Sequence, residues 1–553
     1  TKYYYYAFSL PIPAEAENVT ATSGGRDLTV EVTDGEEGFV KIAEIKLRSR
    51  LFYKQSHSIQ LTFDFVGADP RSEDSEVRVN DAFVWFFAWA FGDPDKATVR
   101  IAAPLWLRAN VEGATMSQAS GDTDNRVWVA EEIEDPGSWL VTFTGFGDDR
   151  LATSEFEVAG SDIELRYWPG DATWRDDVTS TVKEAIPALA EALDLEWPVD
   201  GQLVIRETVL PNYFGYAGWY FSEGDIIEMG EHTDTELIVH EVSHAWFNED
   251  LFPLRWITEG LAQAVTEEIL REEFDERVAP DRVLIGDADF RLLNAWSLIP
   301  GGTERDDDVE AVGYNSSWYV VGEIIDEIGL EGLQEVLAAA VGDEIAYLGN
   351  GDAELVNETD DWRRFLDLVE ERGGSDGATE LFSKYVVRPG QQAQLEARGV
   401  ARAAYADLTA DLADWAPPIT IRAPMADWEF VAAGEIIDEA QAFLDSVLEL
   451  DAHSNALGLA RPATIEAPYE DVQWSFNGVR HMVDDQEATL AAIEAAAAVV
   501  GEPRDEATVL GLEQRDPDAE LAAARAAFES NELREARIHA AVAVAMLDLS
   551  LIH

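Results

Sequence analysis

Between residues 1 and about 160, apolar and polar positions alternate in short runs. These are YYYYAFSLPIP, RDLTVEVTD, GFVKIAEIKL, SIQLTFDFVG, KATVRIAAPLWL, RVWVAEEI and SWLVTFTGF. Successive side chains of a strand point to opposite faces, so this period, cut by Gly, Asp and Pro, predicts strands. Seven such runs without a convincing helix predict a β-sandwich. The run AFVWFFAWAF at 82–91 is too short to cross a bilayer. It reads as a buried strand rather than a lipid-touching loop.

From about 161 the texture changes. DIELRYW and GQLVIRETVL predict strands, with a helix at 177–193 between them, and FGYAGWYF and DIIEMGE predict two more. Two helical patterns follow within 234–268. The stretch 280–312 carries GGTERDDDVE, which lacks the spacing of an EF-hand and reads as a solvated acidic loop rather than a calcium site or a lid. Helices are predicted at 316–328, 330–340, 361–372 and 377–385, ending where Arg388, Pro389 and Gly390 break the pattern. Residues 395–553 are alanine-rich with stripes of period 3.6, predicting a helical domain. The expected architecture is multidomain α+β: a β-sandwich over 1–160, a mixed domain over 161–394 and a helical domain over 395–553.

The chemistry concentrates at DTELIVHEVSHAWFNEDLFPLRWITEGLAQAVTEE, residues 234–268. His240, Glu241 and His244 form an H-E-x-x-H pentad, with Ile238, Val242 and Ala245 as apolar companions. Residues four apart stack on one helix face, so both imidazoles can address one ion. Glu241 sits where it reaches a water on that ion rather than the ion itself. Glu259, on the second helix, is the candidate third ligand. Two imidazoles, one carboxylate and an open position describe a catalytic Zn²⁺ site rather than a closed structural one. The competing reading, two ordinary helix histidines four apart, is disfavoured in a chain with only eight histidines. His481 and His539 are isolated and read as structural.

HEVSHAWFN followed by WITEGLA resembles the zinc-binding core of the aminopeptidase N family, with Trp246, Phe247, Asn248, Trp256, Gly260 and Ala262 at matching positions. A glutamate as third ligand is the mark of a gluzincin, and the resemblance implies a thermolysin-like catalytic domain over 161–394. Fourteen residues separate His244 from Glu259, about four fewer than in that family. Downstream, YNSSWYVVGEIIDEIG resembles the segment that supplies the family's catalytic tyrosine. It implies Tyr314 at the start of a helix, with Tyr319 as the weaker choice and a helix-capping core tyrosine as the alternative. The family's Gly-x-Met-Glu-Asn strand, which holds the substrate's free amine, has no counterpart. Gly215, Tyr216, Ala217 and Gly218 supply no acid there, and Glu223 comes later. The resemblance thus implies peptide-bond hydrolysis without an amine anchor. It also implies a sheet-edge strand, here 213–221, that pairs with extended substrate; an interior strand with glycine bulges is the alternative.

Composition changes the picture in one respect. The formal charge is −70, and only seven lysines (Lys2, Lys41, Lys46, Lys54, Lys96, Lys183 and Lys384) stand among 39 basic residues. This fits a halophilic source. Nucleic acid and anionic membranes are excluded as partners by the sign of the field. Absence of cysteine excludes disulfides and thiolate metal sites. The chain opens on Thr, so an upstream segment such as a signal peptide is expected. A membrane anchor beyond the final LDLSLIH fits the same picture. With sequons at Asn18, Asn315 and Asn357, the expected location is extracellular or at the cell surface, with a peptide or protein as substrate. The rival is a non-catalytic surface or adhesive protein that keeps a peptidase-like scaffold.

Self-repulsion at this charge is relieved by added salt, which shortens the screening length from about 30 Å at 0.01 M to about 3 Å at 1 M. The melting temperature is therefore expected to rise between 0.05 M and 2 M NaCl. A flat or falling trend in a thermal melt would show that the acid excess does not strain the folded chain.

Overall fold

The computed structural model describes residues 3–35, 40–65, 67, 71, 77–120, 123–209, 215–297, 304–355, 361–512 and 515–550. The sequon at Asn357, residues 213 and 214 of the expected edge strand, and the first three residues of GGTERDDDVE lie outside that set. The architecture is α+β and multidomain. Cα proximity divides it into two compact units, Thr1–Pro187 with Trp197–Ala245, and Ala188–Glu196 with Trp246–His553.

The first unit opens with three antiparallel sheets, as the period-two runs predict. One runs in the order Tyr4–Pro13, Val40–Phe52, Arg26–Asp34, Ala16–Ser23 and Gln60–Phe65. The second runs Ser117–Ala119, Asn125–Ile133 and Ala97–Pro104, and the third Arg78–Val79, Phe83–Trp89, Leu140–Phe146 and Arg108–Gly113. The second and third share a core of Ile101 and Ala103 with Val141 and Phe143. Trp128 stands edge-on to Phe143, ring centroids 5.5 Å apart. The aromatic run read as a buried strand forms the strand Phe83–Trp89, with Phe83 buried and the other six residues half-buried. Ala16–Ser23, Arg108–Gly113 and Ser117–Ala119 were not expected, because each holds too few large apolar residues to show an alternation.

A mixed sheet follows, in the order Ala152–Val158, Ser161–Tyr167, Gln202–Glu207, Ile226–Met229 and Gly218–Phe221. Its three middle strands run parallel, and the two end strands run antiparallel to their neighbours. Helix α1, Ala172–Leu193, makes the crossover between the first two parallel strands. Its buried stripe of Val178, Val182, Ala185, Ile186 and Leu189 is the amphipathic signal that predicted it.

The sheet's far ends close over a buried charge cluster. Arg71 makes a bidentate pair with Asp171 at 2.6 and 3.0 Å. The Arg78 guanidinium lies on Glu231, its Nε 2.8 Å from Oε1. Glu207, also buried, accepts the Trp168 backbone N–H at 2.8 Å. Three carboxyls against two guanidiniums would leave one negative charge in the interior, which is costly. Burial instead pushes Glu207 up to about 9, with Asp171 and Glu231 adding to the effect, so the carboxyl stays protonated and the cluster is neutral.

The second unit is helical. Helix α2, Thr235–Ser243, belongs to the first unit and leads into it; α3 spans Arg255–Glu273 and α4 Glu304–Val341, interrupted at Gly329. Helix α5, Trp362–Glu371, carries the buried Asp367 and Glu370, both paired with Arg398 from the helix Gln392–Leu412, with Arg402 from the same helix also on Glu370. Helices then continue to Ser550. Among the described residues no helix is long and apolar enough to cross a membrane. One expectation is corrected: the part of GGTERDDDVE from Glu304 onward is helix, not loop. Asp307 and Asp308 are exposed near a helix N-terminus, where the macrodipole favours carboxylates.

Glu207 holds a proton in the folded chain that the unfolded chain has released above its ordinary carboxyl range. Stability therefore falls as pH rises from about 4.5 to about 9, the window between its unfolded and folded values. Glu207→Gln is expected to flatten that slope in urea titrations taken across the window. An unchanged slope would mean that another group carries it.

Candidate metal centre

Helix α2 begins where the Asp234 side chain accepts the Leu237 backbone N–H at 2.8 Å, which fixes the register of the pentad. His240 falls in its last turn. His244 is its C-cap, still with helical dihedrals of φ −63° and ψ −13°. Ile238, Val239 and Val242 bury the opposite face. The i, i+4 spacing does what it predicts: the two Nε2 atoms lie 3.2 Å apart, with the rings at 90°.

That distance is informative. Two zinc–nitrogen bonds of about 2.0–2.1 Å meeting at a tetrahedral angle place their nitrogens about 3.3 Å apart. Glu259, on α3, completes the group: one ligand atom from each of His240, His244 and Glu259 lies within 4.8 Å of the others. Among the described residues this is the one cluster of three or more such donors close enough to share an ion. Two imidazoles and a carboxylate are donors that suit Zn²⁺.

Glu241 is buried. It lies against the strand Gly218–Phe221, so closely that a Cβ on Gly218 would fall 2.5 Å from Glu241 Oε1. Glycine there is a requirement of that approach rather than a bulge. Of the expected strand 213–221 only Gly218–Phe221 is strand, and among the described residues it is the last in its sheet, so the edge reading holds for those four residues. Glu223 lies exposed in the turn that follows.

Tyr314 lies in the third turn of α4 and not at a helix start, because the helix begins ten residues earlier. Its hydroxyl accepts from Arg255 Nη2 at 2.8 Å. Arg255 opens α3 and also meets Glu310 at 2.7 Å, with its Nε 3.9 Å from Glu259 Oε1. Burial works against the Arg255 charge, but Glu310, Tyr314 and Glu259 outweigh it and raise its pKa. Tyr319 faces elsewhere: it pairs edge-on with Tyr385 and lines a cavity of about 730 Å³ with Arg282, Leu284 and Lys384.

Arg255, Trp296 and Glu310 were not singled out from sequence. One signal was present: Arg255 stands four before Glu259, and Glu310 four before Tyr314, so each shares a helix face with a candidate.

No protein-family model matches the chain. No curated protein matches it in sequence. Several solved structures are similar to it at low identity. The M1 zinc metallopeptidase from Deinococcus radiodurans is 14% identical, with 70% of this chain and 88% of that one covered, at a TM-score of 0.31. Aminopeptidase A from Legionella pneumophila, in complex with aspartic acid, is 14% identical over 68% of this chain and 45% of that one, at 0.32. An aminopeptidase N family protein from Idiomarina loihiensis is 15% identical over 48% and 49%, at 0.20. Likeness at this level says nothing of individual residues, so the reading of the site rests on its own geometry.

Zinc measured by inductively coupled plasma mass spectrometry, on protein never exposed to chelator, is expected near one ion per chain. Removing one ligand should lower it sharply in His240→Ala and in Glu259→Ala. Full occupancy in both variants would place the metal elsewhere.

Proposed function

We propose that the chain is a zinc-dependent peptidase of the gluzincin type, with His240, His244 and Glu259 as ligands of Zn²⁺. The observation that carries this is the convergence of those three donors, two of them at the spacing of neighbouring ligands on one tetrahedral ion. When bound, the ion polarises the scissile carbonyl and brings the pKa of a water to about 7.

The residues of the chain divide the remaining work. Glu241 takes the proton from the attacking water and delivers it to the departing amine. Tyr314 donates its hydroxyl hydrogen to the oxyanion that forms as the carbonyl is attacked. The strand Gly218–Phe221, at the end of its sheet, offers backbone groups to an extended peptide. The substrate is a peptide or protein, met outside the cell or at its surface. The stretch Gly215–Gly218 supplies no acid to hold a free amine, so recognition does not depend on the substrate's N-terminus.

Glu241→Gln tests the assignment. Zinc should remain bound while hydrolysis of a mixed peptide pool falls by about 10²-fold or more. Retained hydrolysis would remove Glu241 from the mechanism, and a zinc-loaded wild type without activity would favour the scaffold reading. Free and N-acetylated forms of one peptide should be cleaved at similar rates, whereas strict preference for the free form would reveal an amine anchor supplied from another part of the chain.

A further inference from the structure

Arg255 breaks a local rule. It is the first residue of α3, where the helix dipole opposes a cation, and its guanidinium is largely enclosed. A charge placed against both penalties is held by specific partners. The guanidinium lies 4.3 Å from the centre of the Trp296 ring and 4.8 Å from that of Tyr314, two rings that stand edge to face. Glu310 takes a hydrogen bond from Trp296 Nε1 at 3.0 Å with one oxygen and pairs with Arg255 through the other. Gly313 makes the arrangement possible: a Cβ there would fall 2.3 Å from the Trp296 ring.

The direction of one hydrogen bond decides what this clamp does. Arginine has donors and no acceptor, so in the 2.8 Å contact between Arg255 Nη2 and Tyr314 Oη the phenol oxygen must accept. The Tyr314 hydroxyl hydrogen then points away from the guanidinium. A cation on the oxygen also makes that hydrogen a stronger donor. The same guanidinium reaches toward the Glu259 carboxylate at 3.9 Å. If the arginine served the fold alone, its pairing with Glu310 would meet that need without the phenol.

We propose that Arg255 is a positioning residue for peptide hydrolysis: it fixes the direction in which the Tyr314 hydroxyl donates and steadies the Glu259 carboxylate. This rests on the peptidase reading above. Lysine is a poor replacement: Nη2 serves both Glu310 and Tyr314 while Nε faces Glu259, and a single ammonium does not occupy both nitrogen positions at once as the planar guanidinium does.

The test is a double-mutant cycle on the full chain with zinc content measured for each protein. Arg255→Gln is expected to lower kcat about 10- to 100-fold with KM changed less than about 3-fold. In a Tyr314→Phe background the same substitution should cost less than about 3-fold, because the group it acts through is gone. Arg255→Lys should recover little, and it provides the second reading if Arg255→Gln folds poorly. A readout independent of activity is ¹⁹F NMR of metal-free protein carrying 3-fluorotyrosine. The Tyr314 signal, identified by its loss in Tyr314→Phe, should be single in the wild type and shifted or broadened in Arg255→Gln. Equal losses of kcat in both backgrounds, full activity in Arg255→Lys, or an unmoved Tyr314 signal would each overturn the role. A zinc-loaded wild type with no hydrolysis while the ¹⁹F signal moves as expected would instead strike the peptidase reading, and with it any part Arg255 plays in hydrolysis.

Discussion

Two imidazole nitrogens 3.2 Å apart are the geometric feature on which the proposed chemistry depends. Neutral rings facing each other through lone pairs repel, so such a pair is held by a shared proton or a shared cation. A carboxylate within reach of both nitrogens favours the cation. Much of the surrounding structure can be understood as meeting this demand. The Asp234 cap fixes where the helix starts, and hence which face His240 and His244 present. The buried stripe of Ile238, Val239 and Val242 holds that face in place. Glu241, on the next position round the helix, is turned onto a sheet edge by the same register.

A chain with 109 acidic residues has to place its few cations with care. The surface can leave carboxylates to solvent and salt, but the interior cannot. Three of its enclosed carboxylate clusters have their charge reduced in different ways. Around Glu207 the reduction comes from a retained proton. Around Asp367 and Glu370 it comes from Arg398, with Arg402 reinforcing Glu370 from a more exposed position. Around Glu259 and Glu310 a single guanidinium, Arg255, offsets part of the charge. Arginine fills all these places and lysine none, in keeping with its planar fork and weaker hydration. Buried pairs of this kind add little net stability compared with apolar packing, yet losing one partner costs about 3–5 kcal/mol.

What could be read from the sequence depended on whether the signal was local. His240 and His244 were legible because a helix places residues four apart on one face. The strands at Arg26–Asp34 and Leu140–Phe146 were legible because alternation repeats every second residue. The run Glu304–Asp308 misled, because acidic residues suit a solvated loop and a helix N-terminus equally well. Tyr314 was set at a helix start, an error that follows directly from that run. Arg255 was invisible for another reason: its meaning lies in Trp296, Glu310 and Tyr314, 41 to 59 residues away, and no sequence period links them. The retained proton on Glu207 likewise comes from burial, which the sequence around it does not state.

The most direct test of the account is anomalous diffraction at the zinc absorption edge on crystals of the full chain grown with zinc. A single strong peak about 2.0–2.2 Å from His240 Nε2, His244 Nε2 and a Glu259 carboxylate oxygen is the predicted result. A peak held by other residues, or none at these three with zinc in excess, would contradict it.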